Sequence, residues 1–177
     1  GRRFTARALR SARRLDRAAL QGADTVIVFS EKDHDLIVRS AGRSRATVEV
    51  VAPPLSAGEP QRRDPSRAAP VVVFVGLLSR PENDDAALWL VQEIWPRVRQ
   101  QLPDARLLLV GAGASDGLHC AASTDASIDL RGFVQDLPGL YATASVCVIP
   151  LRLGAGVKFK TVEALIAGVP TVTTSVG

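Results

Sequence analysis

Apolar, β-branched runs that each end at a glycine and lead into a stretch of helical spacing limit most strongly what this chain can fold into. Val71–Val75 stops at Gly76, Arg106–Val110 at Gly111-Ala112-Gly113, and Val146–Ile149 leads through Pro150 to Gly154 and Gly156. A continuous apolar run of this length suits a strand buried on both faces. Helical segments between the runs imply βαβ crossovers and a parallel sheet. On such sheets ligands sit beyond the carboxyl ends of the strands, which is where all three glycine loops fall.

The remaining elements follow the same rhythm. Asn83 is read as the cap of a helix in which Ala86, Ala87, Leu90, Val91, Ile94 and Trp95 recur at helical spacing, with Pro96 as a kink or break. Ile128–Leu130 reads as a strand, Leu137–Ala144 as a helix, Lys158–Ala167 as a helix and Thr171–Thr174 as a strand. Gly111-Ala-Gly113-Ala-Ser-Asp116 lacks the third glycine and the acidic ribose reader of a dinucleotide fingerprint, so it is read as a tight turn. The fold class is α/β: a Rossmann-like parallel sheet with flanking helices, plus a partial N-terminal βα piece.

That piece begins with a basic helix, Gly1–Gln21, which Gly22 stops; its arginines are read as too widely spread for a one-sided amphipath. Thr25–Phe29 is read as a short buried strand. Ser30, with Asp33 three residues on, caps a helix that Gly42 ends, and Thr47–Val51 is a second strand. Ala52–Pro70 then carries five prolines in 19 residues, which can continue neither a helix nor a central strand. Residues 1–51, a linker at 52–70 and a domain at 71–177 are therefore expected.

Charge divides along the same line. Residues 1–70 carry a net +6 and residues 71–177 a net −2, within a total of +4. Cys120 and Cys147 have no neighbouring Cys/His cluster, which argues against a zinc site or a disulfide framework. No apolar run approaches the ~20 residues that span a bilayer, and the N-terminus lacks the apolar core of a signal peptide. A cytoplasmic location is the expectation, with peripheral contact at the inner membrane face through the basic segment. Nucleic acid is not favoured, because aromatic interleaving is limited to Phe4.

The chemistry concentrates in Ser145–Thr174, which reads as strand, glycine loop, helix, strand. Glycines ahead of a helix let a backbone approach a ligand closely, and the helix N-terminus suits phosphate. Lys158 and Lys160 add full charges there, where the dipole disfavours cations unless an anion is bound, and Glu163 follows on the helix. The bland alternative is a solvated loop with an exposed Lys160–Glu163 pair, worth tenths of a kcal/mol.

Val71–Gly177 resembles the C-terminal, nucleotide-sugar-binding domain of GT-B glycosyltransferases of the retaining family 4 type. The text that carries this is FVGLLSRPENDDAALWLVQEIWPRV, LLLVGAG and LRGFVQDLPGLYATASVCVIPLRLGAGVKFKTVEALIAGVPTVTTSVG. The resemblance implies a GT-B half that takes a nucleotide-diphosphate sugar as donor substrate, with no cofactor and no metal. Glu163 would bind the ribose hydroxyls, and the backbone of Gly154, Ala155, Gly156 and Val157 together with Lys158 would hold the diphosphate. Phe133 and Val134 would flank the base, and Gly76 would let the donor approach the first strand. Lys158, Glu163 and Arg80 are the catalytic candidates. Residues 1–51 look like the end of the acceptor-side domain, and Gly177 precedes the helices that close the donor domain in that family. The acceptor, a saccharide or lipid-linked glycan, is not specified.

Two departures stand out. Ala155 occupies the place of the first of two glutamates separated by seven residues in many members, and Leu77 and Glu82 stand where many carry Arg and Lys. Arg80 or Lys158 would then supply the charge. The alternative reading is a non-catalytic GT-B-like module that binds a nucleotide or a partner.

Overall fold

The computed structural model describes residues 6–41, 45–55, 69–154 and 156–177. Phe4, Gly42, Ala155 and most of the proline-rich segment lie outside these, so the cap at Gly42 and the role of Ala155 are not described. The chain forms two compact units, Gly1–Pro54 and Leu55–Gly177.

The first unit contains α1 (Ala6–Gly22), β1 (Thr25–Val28), α2 (Glu31–Ala41) and β2 (Thr47–Val50). β1 and β2 pair in parallel, Thr25 with Thr47 through Val28 with Val50. Ser30 caps α2 as expected: its hydroxyl accepts from Asp33 N–H at 3.1 Å and donates to the Asp33 carboxylate at 2.8 Å. Two expectations fail here. β1 is not a buried strand: Val28 is covered but Ile27 is 59% exposed, because α2 packs on one face of a sheet only two strands wide. The arginines of α1 are not scattered either. At about 100° per residue, Arg10, Arg13, Arg14 and Arg17 fall within an arc of about 100°, and all four are exposed.

The second unit holds β3 (Val71–Val75), α3 (Pro81–Trp89), a π-helical turn (Leu90–Ile94), α4 (Trp95–Gln101), β4 (Arg106–Val110), α5 (Asp116–Ser123), β5 (Ile128–Arg131), α6 (Leu137–Thr143), β6 (Val146–Ile149), α7 (Phe159–Ile166) and β7 (Thr171–Thr173). The five strands are parallel, in the order β5-β4-β3-β6-β7. This is the α/β, Rossmann-like sheet that the sequence implied. β3 lies at the centre, and its Val73 and Phe74 are wholly buried with Leu107 and Leu109 of β4.

The helices depart from expectation in three places. α3 starts at Pro81, whose fixed φ suits the first helical position, so Asn83 is not a cap but lies in the first turn with its side chain turned inward. The π turn ends at Ile94, two residues before Pro96. It absorbs the missing N–H and the ring clash that a proline brings to a helix, so the chain continues with a local widening instead of a break. α5 follows the glycine turn where the sequence reading places no helix. Its cap is Ser115, which accepts from Leu118 N–H at 3.1 Å and donates to Asp84 at 2.7 Å, tying α5 to α3.

Gly111 and Gly113 do form a tight turn, with φ of 146° and 77°. A Cβ on Gly111 would overlap the Gly76 carbonyl oxygen, and one on Gly113 would lie 2.6 Å from Ser79 Cβ. Gly111→Ala is therefore expected to lower the unfolding free energy by about 1–3 kcal/mol through backbone strain alone. Gly132→Ala, where a Cβ meets nothing within 4 Å, should change it by less than about 0.5 kcal/mol. Urea midpoints of the two variants check the contrast.

Candidate functional site

The strand order reverses between β3 and β6: from β3 the chain builds outward through β4 and β5, then crosses to β6 and β7 on the other side. In sheets of this kind the loops leaving the carboxyl ends of the two strands at the reversal, here β3 and β6, flank a crevice that is the usual ligand position. Gly76 leaves β3 on one side and Pro150–Lys158 leaves β6 on the other.

The second loop is held at both ends and open in the middle. Arg152 makes a two-pronged bond to Asp85 of α3, Nε at 3.0 Å and Nη2 at 2.7 Å, and its guanidinium lies 5.0 Å from the centre of the Trp89 ring. Leu151 is buried, and its carbonyl accepts the Thr174 hydroxyl. At the other end Lys158 Nζ donates to the Gly156 carbonyl at 2.8 Å. Gly154 and Gly156, with φ of 138° and 73°, take the left-handed conformations open to glycine. Among the described residues no acceptor takes the N–H of Gly154, Gly156 or Val157. Those donors are available to an anion.

Lys160, which the sequence reading sets beside the anion loop without assigning it a role, reaches farther than its neighbours. It lies in the first turn of α7, half-buried, and its Nζ donates to Asn83 Oδ1 across the crevice. Asn83, 5% exposed, completes the link by donating to the Leu77 carbonyl at 2.8 Å. The ammonium stands 5.0 Å from the Phe74 ring centre, and a Cβ on Gly76 would approach it to 2.7 Å. Gly76 is thus needed for the room it leaves to a lysine, and the expected exposed Lys160–Glu163 pair does not form. Burial lowers the Lys160 pKa to about 8, against smaller opposing contributions from Cys147 and Glu82.

The other predicted residues are distributed around this link. Arg80, at the cap of α3, bonds Glu82 at 3.1 Å and acts electrostatically on Lys160, as does Lys158. Glu163 is half-buried on α7, and its carboxylate has no protein partner among the described residues. It stands close enough to Tyr141 to help burial and Cys147 push that phenol's pKa up, and the Tyr141 hydroxyl is buried without a partner. Phe133, 82% exposed, and Val134, packed on the core, stand at the end of β5, two strands from β3. Leu77 is 52% exposed beside the crevice. No signal in the sequence pairs Lys160 with Asn83 across 77 positions, or Arg152 with Asp85 across 67.

The profile of the family described as glycosyl transferases group 1 matches residues 69–177. A curated relative, an uncharacterized 44.6 kDa protein in the cps region of Klebsiella pneumoniae, is 32% identical over 113 residues, 60% of this chain and 29% of its own. HepE of Anabaena, solved in complex with UDP and glucose, superposes with a TM-score of 0.72 at 22% identity, over 98% of this chain and 50% of HepE. WaaG, a glycosyltransferase involved in lipopolysaccharide biosynthesis, superposes with a TM-score of 0.62 at 16% identity, over 97% of this chain and 50% of WaaG. The chain spans half or less of the length of these proteins, and at such identities the structural likeness is one of fold.

The Lys160 burial has a sign that can be measured. Between about 8 in the folded chain and the ordinary 10.5 in the unfolded one, the unfolded state holds a proton that the folded state has released. Stability therefore rises with pH across that interval. Cys147, raised by burial from 9.0 to about 11, has the opposite effect from pH 9 upward. Urea midpoints should rise between about pH 8 and 9 in the wild type and show no such rise in Lys160→Met.

Proposed function

The chain belongs to the glycosyl transferases group 1 family, and from that membership we propose that it is the donor half of an enzyme moving a sugar from a nucleotide-diphosphate sugar to an acceptor. The observation that carries this is the open glycine loop at the strand-order switch, with Lys158 at its end and the unpartnered Glu163 carboxylate on the helix that follows. Free N–H groups and a lysine suit a diphosphate, and a carboxylate suits a pair of ribose hydroxyls. The loop and Lys158 hold the diphosphate and Glu163 binds the ribose. Arg80 offsets charge that develops on the leaving group, as preorganised cations do in other transfers, and Phe133 with Val134 flanks the base. None of these roles calls for a metal. Transfer with retention follows from likeness to the family 4 type. Because HepE was solved with UDP and glucose, UDP-sugars are the first donors to test, with a saccharide or lipid-linked glycan as acceptor.

Glu163→Gln keeps the shape and removes the charge. It should weaken UDP binding about tenfold to a hundredfold, the worth of one or two hydrogen bonds to a charged group, and abolish turnover of any UDP-sugar the protein uses. Unchanged turnover would remove Glu163 from the site. Leu77, an exposed apolar side chain beside the crevice, favours a second reading, a nucleotide-holding module without catalysis. Tight UDP binding with no sugar released across a donor panel selects that module.

The exposed arginine arc of α1 supports contact with an anionic membrane surface. Co-sedimentation with phosphatidylglycerol vesicles, absent with phosphatidylcholine and lost at high salt, is the expected result.

A further inference from the structure

Lys160 is a half-buried cation whose only protein hydrogen-bond partner among the described residues is a neutral amide. The charged and titratable groups around it are all accounted for. From the β3–α3 side, Glu82 bonds Arg80 at 3.1 Å, Asp84 accepts from Ser115 and Asp85 is taken by Arg152. From β6 comes the buried Cys147 thiol, from α6 Tyr141, and from the loop before α7 Lys158. Within α7 itself, Glu163 forms no ion pair with it. No carboxylate among the described residues bonds the ammonium, and the electrostatic help it gets from Glu82 is outweighed by burial. Burying a charge in this way is costly unless something else meets it.

The geometry shows where that partner belongs. Lys160 starts on the β6 side of the crevice and ends against Gly76 on the β3 side, so its ammonium stands where the two loops part. The exposed N–H groups of Gly154, Gly156 and Val157 belong to the same β6–α7 connection. Asn83 fixes the direction, since its amide N–H₂ is committed to the Leu77 carbonyl and only its oxygen is left to receive the lysine.

We propose that Lys160 is a donor-binding residue that grips the diphosphate from across the strand-order switch, and that Asn83 is the positioning residue that aims it. The proposal rests on the donor-site reading above. Its consequence is a link between ligand and proton. An anion binds the charged lysine only, so affinity is full below the folded pKa of about 8 and falls above it, by about tenfold per pH unit. The terminal phosphate of UDP is already fully ionised in that range, so the titration belongs to the protein.

The experiment is calorimetric titration of the full chain with UDP from neutral pH to about two units above it, with uridine as the control that lacks the diphosphate. Wild-type affinity for UDP should fall through pH 8 and 9, with proton uptake on binding. Lys160→Arg, whose charge does not titrate in this range, should keep UDP binding and flatten the profile. Lys160→Met should lose tenfold or more at neutral pH, leaving uridine binding unchanged. Asn83→Asp gives the lysine a carboxylate partner, and should weaken UDP at neutral pH while moving the fall in affinity to higher pH. A purely structural Asn83 would not move that midpoint, and an unmoved midpoint overturns its positioning role. Wild-type UDP affinity and pH profile in Lys160→Met, alongside lost binding in Glu163→Gln, overturns the role of Lys160 and leaves the donor site standing. Absence of nucleoside diphosphate binding in the wild type overturns the donor site and this proposal with it.

Discussion

β6 pairs with β3 and not with β5, and the site depends on that choice. The pairing is short, Val72 with Val146 and Val73 with Cys147, yet it makes β3 a strand with neighbours on both sides and reverses the growth of the sheet. Without the reversal the β3 and β6 loops would not flank one crevice, and Lys160 would have no route to Gly76. β-branched side chains around the wholly buried Cys147 supply the packing that holds the pairing. A thiol is among the few polar groups that can sit there without needing a partner.

The loop after β6 shows how a flexible element can be held without being closed. Its glycines give backbone freedom, which costs entropy to order. The Arg152–Asp85 bond and the Trp89 face fix one end, and Lys158 folds back on the other. The entropy is thus spent at the anchors before any ligand arrives, and the N–H groups between them remain uncommitted.

What could be read from the chain, and what could not, follows the range of the interactions. Runs such as Val71–Val75 and the glycines after them declare strand and turn locally, and Ser30 with Asp33 declares a cap within four residues. α5 was missed because a glycine-rich opening outweighed a weak periodicity behind Ser115. Asn83 was misread because its residue type suits a cap, while Pro81 two places earlier settles where the helix begins. The exposure of Ile27 depends on how wide the sheet is, and the Lys160–Asn83 link on two helices meeting from opposite sides of a crevice. Neither leaves a local trace. Glycine loop, Lys158, Lys160 and Glu163 are visible as a group because they fall within ten residues; the contact that carries Lys160 across to Asn83 and Gly76 is not.

The interlock of Gly111 and Gly113 with the backbone at Gly76 and Ser79 bears on how such a site can be redesigned. The turns that follow β3 and β4 share one contact surface with no spare volume, so they behave as a single rigid part. A designer who reshapes the Gly76 turn to admit a bulkier ligand must rebuild the Gly111 turn in the same step. The β6 loop is anchored through Arg152 to Asp85 and Trp89 instead, so its middle can be varied while those anchors are kept. Diversification of specificity would accordingly be cheap on one wall of the crevice and expensive on the other.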